Sequence, residues 1–61
     1  STVHEFITRI RMENAANLIQ TSDLNVAEIA YRVGFTEPSN FSRTFTRHFG
    51  VSPTRFMKKT R

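Results

Sequence analysis

Side chains suited to reading a nucleic acid crowd into one short stretch. Ser39, Asn40, Ser42 and Arg43 fall within five positions, and Arg47 follows one helical turn later. An arginine can grip guanine O6 and N7 in a fork, an asparagine can do the same at adenine N6 and N7, and serine serves either role. Arg47, set further back, suits a phosphate better than a base edge. Ser52 and Thr54 flank Pro53 at a second helix start, where backbone N–H groups and a positive dipole end can hold a phosphate. Each residue also has a plainer reading. Ser39 and Asn40 suit the first turn of any helix, Arg43 could face solvent or pair with Glu37, and Ser52 is a natural cap.

Other chemistry has little footing. His4 and His48 stand near opposite ends of the chain, with no carboxylate or second histidine at ligand spacing. The two glycines both follow helix ends, so neither belongs to a phosphate loop. With no cysteine there is no disulfide, thiolate ligand or thiol nucleophile. The expectation is a non-enzyme without metal, cofactor or catalytic residues.

Charge distribution points the same way. The net charge is +4, but residues 1–22 balance to 0, residues 23–37 carry −2, and residues 38–61 carry +6 with no acid at all. Such a block is the footprint of a polyanion partner, or else a solvated face. The chain has 61 residues, so it is one domain at most, with a thin core. The apolar share is 38%, which fits a globular domain rather than a disordered tail. No run approaches the ~18 apolar residues of a membrane helix, and no secretory leader is visible. The first residue is Ser rather than Met, which predicts a piece of a longer protein.

The elements that would position these groups are helical throughout. Thr2 and Glu5 form a capping box, and Val3, Phe6, Ile7, Ile10, Ala15, Leu18 and Ile19 recur at mostly three- and four-residue steps. They predict one amphipathic helix that Thr21-Ser22-Asp23 ends. Asn25 and Glu28 repeat the box, Leu24 and Ile29 staple it, and Gly34 closes a helix over 26–33. Thr36-Glu37-Pro38 restarts the chain into a helix of about 37–49, with Phe41, Phe45 and Phe49 as its core stripe. Gly50 stops it. Val51, Ser52 and Pro53 open a last helix over 52–60, whose tail Lys58-Lys59-Thr60-Arg61 is expected to fray. The short helix, tight turn and second helix across 25–48 match a helix-turn-helix, and their stripes are expected to meet over Phe6 and Ile10. One of Arg9 and Arg11 is expected to lay its stem along the core and pair with an acid such as Glu28. No period-two alternation occurs, so the expected class is all-α with four helices.

Five blocks together carry a resemblance. Arg9-Ile10-Arg11-Met12 with Ala15 and Leu18-Ile19, Val26-Ala27-Glu28-Ile29-Ala30, Val33-Gly34-Phe35, Asn40-Phe41-Ser42-Arg43-Thr44-Phe45 and Phe49-Gly50-Val51-Ser52-Pro53 resemble the AraC/XylS family of bacterial transcription regulators. The likeness covers essentially the whole chain. It implies a homeodomain-like helix-turn-helix fold in which residues 1–61 are the C-terminal half of a DNA-binding domain. Residues 2–21 would be its linker helix, 25–48 its second helix-turn-helix and 52–60 its last helix. A first unit would precede Ser1. The family's groove-facing positions fall on Pro38, Ser39, Asn40 and Arg43; the phosphate contacts expected beside them, from the residues themselves, are Ser42, Arg47, Ser52 and Thr54. The implied partners are double-stranded DNA, RNA polymerase and the rest of a larger regulator, in the cytoplasm and away from membranes. The alternative is a protein-interaction helix-turn-helix that touches polymerase or a partner domain. Two departures stand out: Asn40 precedes Phe41 where many members carry Tyr or His, and Phe56-Met57 replaces a common Tyr-Arg pair.

Overall fold

Four helices follow one another in the computed structural model, which describes residues 2–61. They are α1 (Val3–Thr21), α2 (Val26–Arg32), α3 (Pro38–Phe49) and α4 (Pro53–Thr60), with no strand among the described residues. None of the helices is long and apolar enough to cross a membrane.

Local chemistry sets the boundaries. Thr2 accepts from the Glu5 amide while Glu5 accepts from the Thr2 amide, so both halves of the first capping box form. At the other end of α1 the Thr21 and Ser22 hydroxyls donate back to the Asn17 and Leu18 carbonyls, at 2.8 and 2.6 Å. Asn25 and Glu28 cap α2 in the same reciprocal way. After α2 the Gly34 amide donates to Tyr31 O and the Phe35 amide to Ala30 O. This paired closure is a Schellman motif, and it requires the positive φ of 108° found at Gly34. Ser52 caps α4, with Pro53 in its first turn.

Helix α1 touches α2, α3 and α4, while α2 packs on α3 and α3 on α4. The fully enclosed centre holds Met12, Ala15 and Ile19 from α1, Ile29 and Ala30 from α2, and Phe41 and Phe45 from α3. Phe45 meets Phe41, Phe49 and Phe56 at ring distances of 5.7, 4.6 and 5.5 Å. Phe35 turns inward from the α2–α3 connection and meets Phe41 edge-on at 5.6 Å.

Two sequence expectations fail here. The stripes do not meet over Phe6 and Ile10. Val3, Phe6, Ile7 and Ile10 are all exposed, at 77, 51, 41 and 39%. Met12, absent from the predicted stripe, is fully buried instead. The reason is helical phase. From Ile10 to Met12 is a step of two residues, about 200° around the axis. The ridge of Val3, Phe6, Ile7 and Ile10 therefore lies opposite the core stripe of Met12, Ala15 and Ile19. Helix α1 is apolar on two faces, one in each half. Secondly, the C-terminal tail does not fray. Arg61 Nε donates to Ile19 O and its Nη2 to Leu24 O, both at 2.9 Å, which ties the end of α4 to the end of α1.

Candidate nucleic-acid interface

Helix α3 is built around an inner aromatic edge and an outer polar one. Phe41 and Phe45 are buried and Phe49 half-buried, four residues apart, so they anchor one side of the helix. Ser39, Asn40, Arg43 and Arg47 are exposed on the other. The two arginines stand one turn apart, which stacks their guanidinium groups along a single edge. Pro38 is half-buried at the first helical position, and Ser42 is half-buried on the flank, where its carbonyl accepts from the Thr46 hydroxyl at 2.8 Å.

The N-terminus of α3 differs from the other three. Glu37 occupies the cap position but makes no side-chain hydrogen bond to the helix. Phe41 is the first residue whose amide returns to the chain, at Glu37 O. The Ser39 and Asn40 amides therefore point outward beside the Ser39, Asn40 and Arg43 side chains, at the positive end of the helix dipole.

Ser52 and Thr54 lie apart from that cluster, at the start of α4. Ser52 Oγ accepts from the Arg55 amide at 3.2 Å, so its capping role is realised. Thr54, Arg55 and Lys58 are exposed beside it, giving a second basic surface. The base-reading candidates thus come together on α3, and the phosphate candidates divide between α3 and α4.

The arginines of α1 meet the expectation in part: Arg11 is half-buried along the core's edge, without the acid partner among the described residues. Arg11 lays its guanidinium over the Phe35 ring, with Cζ 5.7 Å from the centroid. The Glu28 carboxylate instead accepts from the Asn25 amide at 3.0 Å, as part of the α2 capping box. Arg9 Cζ sits 5.5 Å from the Phe6 ring on the exposed ridge. The close approach of Arg11 to Gly34 and Phe35 went unread in the sequence. A glycine at the turn, opposite an arginine three turns from the end of α1, is a signal visible only once the helix crossing is known.

Comparison with known proteins agrees with this geometry. A family model described as a helix-turn-helix domain matches residues 1–59. The Msm operon regulatory protein of Streptococcus mutans is 36% identical over 95% of this chain, which spans 21% of that protein. The HTH-type transcriptional activator RhaS of Salmonella arizonae is 42% identical over 85% of the chain and 19% of its own length. A histidine kinase P4 of Formosa agariphila is 38% identical over 95% of the chain, a stretch that makes up 4% of it. Among solved structures, the C-terminal domain of the response regulator AraT from Geobacillus stearothermophilus superposes with a TM-score of 0.94 at 37% identity. The match covers 97% of this chain and 49% of that one. The chain therefore spans about a fifth or less of the curated relatives it matches.

Proposed function

The chain belongs to the AraC/XylS family of transcription regulators through its helix-turn-helix domain, and from that premise we propose that it docks α3 in the DNA major groove as part of a larger regulator. The supporting observation is the outer edge of α3. Exposed Ser39, Asn40, Arg43 and Arg47 follow an uncapped helix start, and no acid occurs from residue 38 onward. A helix about 10–12 Å across fits a groove ≈ 12 Å wide, so this edge would lie against the base pairs.

In this reading Pro38, Ser39, Asn40 and Arg43 face base edges. Arg43 forks onto a guanine and Asn40 onto an adenine. Ser42, Arg47, Ser52 and Thr54 hold phosphates and so set the register of the helix. The exposed ridge of Val3, Phe6, Ile7 and Ile10 is where the remainder of a regulator covers the module. The family's transcription regulators, not catalysis, supply the frame for this activity.

The test is a titration of the chain with duplex DNA at several salt concentrations, followed through backbone amide shifts. Shifts should cluster on residues 39–47 and 52–54 and fade with salt. With about three phosphates neutralised by arginine and lysine side chains, log K against log salt should fall with a slope near −2.7. Non-cognate duplexes should bind at ~10⁻⁴–10⁻⁶ M at physiological salt. Arg43→Ala should cost about 1–3 kcal/mol on a preferred site and less elsewhere. An equal loss on all sequences reassigns Arg43 to a phosphate. A dispersed spectrum in which those amides stay still favours the alternative, a contact with RNA polymerase or a partner domain, for which the exposed Tyr31 and the α1 ridge offer apolar surface.

A further inference from the structure

A cleft of about 570 Å³ opens between the N-terminal half of α1 and the C-terminal half of α3. His4, Thr8 and Arg11 line one wall and Thr44, Arg47 and His48 the other. We propose that this cleft is a second phosphodiester site, seating the DNA backbone along the flank of α3 opposite to Ser42 and Thr46. The proposal rests on the docking of α3 argued above, and it adds α1 to the DNA-contacting surface.

Three observations carry it. The first is charge. Arg11, Arg47 and Arg9 converge here with two imidazoles, and Glu5 is the sole acid in the lining. The Oε1 atom of Glu5 is already taken up by the Thr2 amide at 2.8 Å. A site of this composition favours a strong anion over a neutral ligand.

The second is donor supply. The hydroxyls of Thr21, Thr46 and Thr60 return to carbonyls four residues back. Among the described residues, Thr8 and Thr44 make no such bond, and both are half-buried at the cleft. Two hydroxyl donors thus remain beside the guanidinium groups. Arg11 is also held in place: it lies over Phe35, and its Nε is 3.1 Å from where a Cβ on Gly34 would sit. A cation positioned this way loses less freedom on binding than one on a free stem.

The third is placement. Arg47 belongs both to the outer edge of α3 and to the cleft. Thr44, three residues before Arg47, and His48, next to it, continue that flank, whereas Ser42 and Thr46 mark the other flank. A helix that fills the major groove brings its two flanks toward the two backbones. The cleft then meets one strand and the α3 flank at Ser42 the other. An acidic protein segment would satisfy the charges, but it would not require the continuity with the outer edge of α3.

The test compares duplex affinity from 50 to 200 mM salt for the chain and its variants on a sequence without a preferred site. Arg11→Gln should remove one phosphate contact and make the slope about 0.9 shallower, so the loss across that range shrinks about 3.5-fold. His4 is exposed, so His4→Glu keeps the fold while placing a carboxylate at the cleft mouth, and it should weaken binding to every sequence alike. Lys59→Gln, on the far part of α4, should keep the original slope. If Arg11→Gln loses its dispersed spectrum, His4→Glu alone decides. Unchanged affinity in His4→Glu together with an unchanged slope in Arg11→Gln overturns the cleft site, and a loss in Arg43→Ala on a preferred site leaves the docking of α3 intact. A chain that shows no salt-dependent duplex binding overturns both. Shifts at the His4, Thr8 and Thr44 amides with hexaglutamate but not with duplex overturn the site in favour of an acidic protein segment.

Discussion

Phe45 and Phe6 are chemically identical, yet truncating them to alanine should have very different outcomes. Phe45 is fully enclosed, with three aromatic rings within 5.7 Å. Removing its ring forfeits the transfer term and leaves a cavity that the neighbouring rings cannot collapse into, a cost of about 3–5 kcal/mol. A chain of this length has a total stability of ~3–9 kcal/mol, so Phe45→Ala should leave little or no cooperative transition. Phe6 is 51% exposed, so half its surface is already in water and no cavity forms. Half of the ~1.5–3 kcal/mol for burying such a side chain gives roughly 1 kcal/mol. The contact with Arg9 adds ~0.5 kcal/mol at an exposed position. Phe6→Ala should therefore lower Tm by about 4–12 °C. Urea unfolding followed by far-UV circular dichroism separates the two: Phe6→Ala should keep the parent m-value at a lower midpoint, and Phe45→Ala should show little or no transition. If Phe6→Ala destabilised the chain as much as Phe45→Ala, the two-faced account of α1 would be wrong and the ridge would belong to the core.

Three further outcomes follow from the local geometry. Gly50→Ala meets open space and carries only left-handed strain, about 1–2 kcal/mol, whereas Gly34→Ala adds a contact with Arg11 at 3.1 Å and should cost more. In an Arg11→Ala background that excess should disappear, which a double-mutant cycle by chemical unfolding measures. Asn25→Ala removes the acceptor for the Glu28 amide at 2.8 Å and should cost ~1 kcal/mol, seen as faster hydrogen exchange at Glu28. Arg61→Ala removes two donors from the carbonyls of Ile19 and Leu24, and because the group is solvent-accessible the loss should be about 1–2 kcal/mol; an unchanged Tm would show that the clamp does not hold in solution.

Much of the fold is legible residue by residue. The Thr2/Glu5 and Asn25/Glu28 boxes, Gly34, Pro38, Gly50 and Ser52 each act through partners within a few positions, so their types and spacing suffice to place four helices within a residue or two. The inner edge of α3 is equally plain, because Phe41, Phe45 and Phe49 repeat at helical spacing. Since the inner edge defines the outer one, Ser39, Asn40, Arg43 and Arg47 could be assigned to a shared exposed surface before any helix was packed.

Periodicity alone does not say which of two apolar stripes a core will use. Val3, Phe6, Ile7 and Ile10 make as good a stripe as Met12, Ala15 and Ile19; packing against α2 and α3 selected the second and left the first in water. The same holds for contacts between distant residues. Arg61 reaches carbonyls 42 and 37 positions away, and Arg11 meets Phe35 only because α1 crosses the α2–α3 turn. The α1–α3 cleft exists for that reason too. Helix starts, stops and faces are short-range consequences of side-chain chemistry, which the amino-acid sequence determines by itself. The choice of face, the clamp and the cleft depend on crossing geometry, which is decided only when all four helices compete for the same apolar volume.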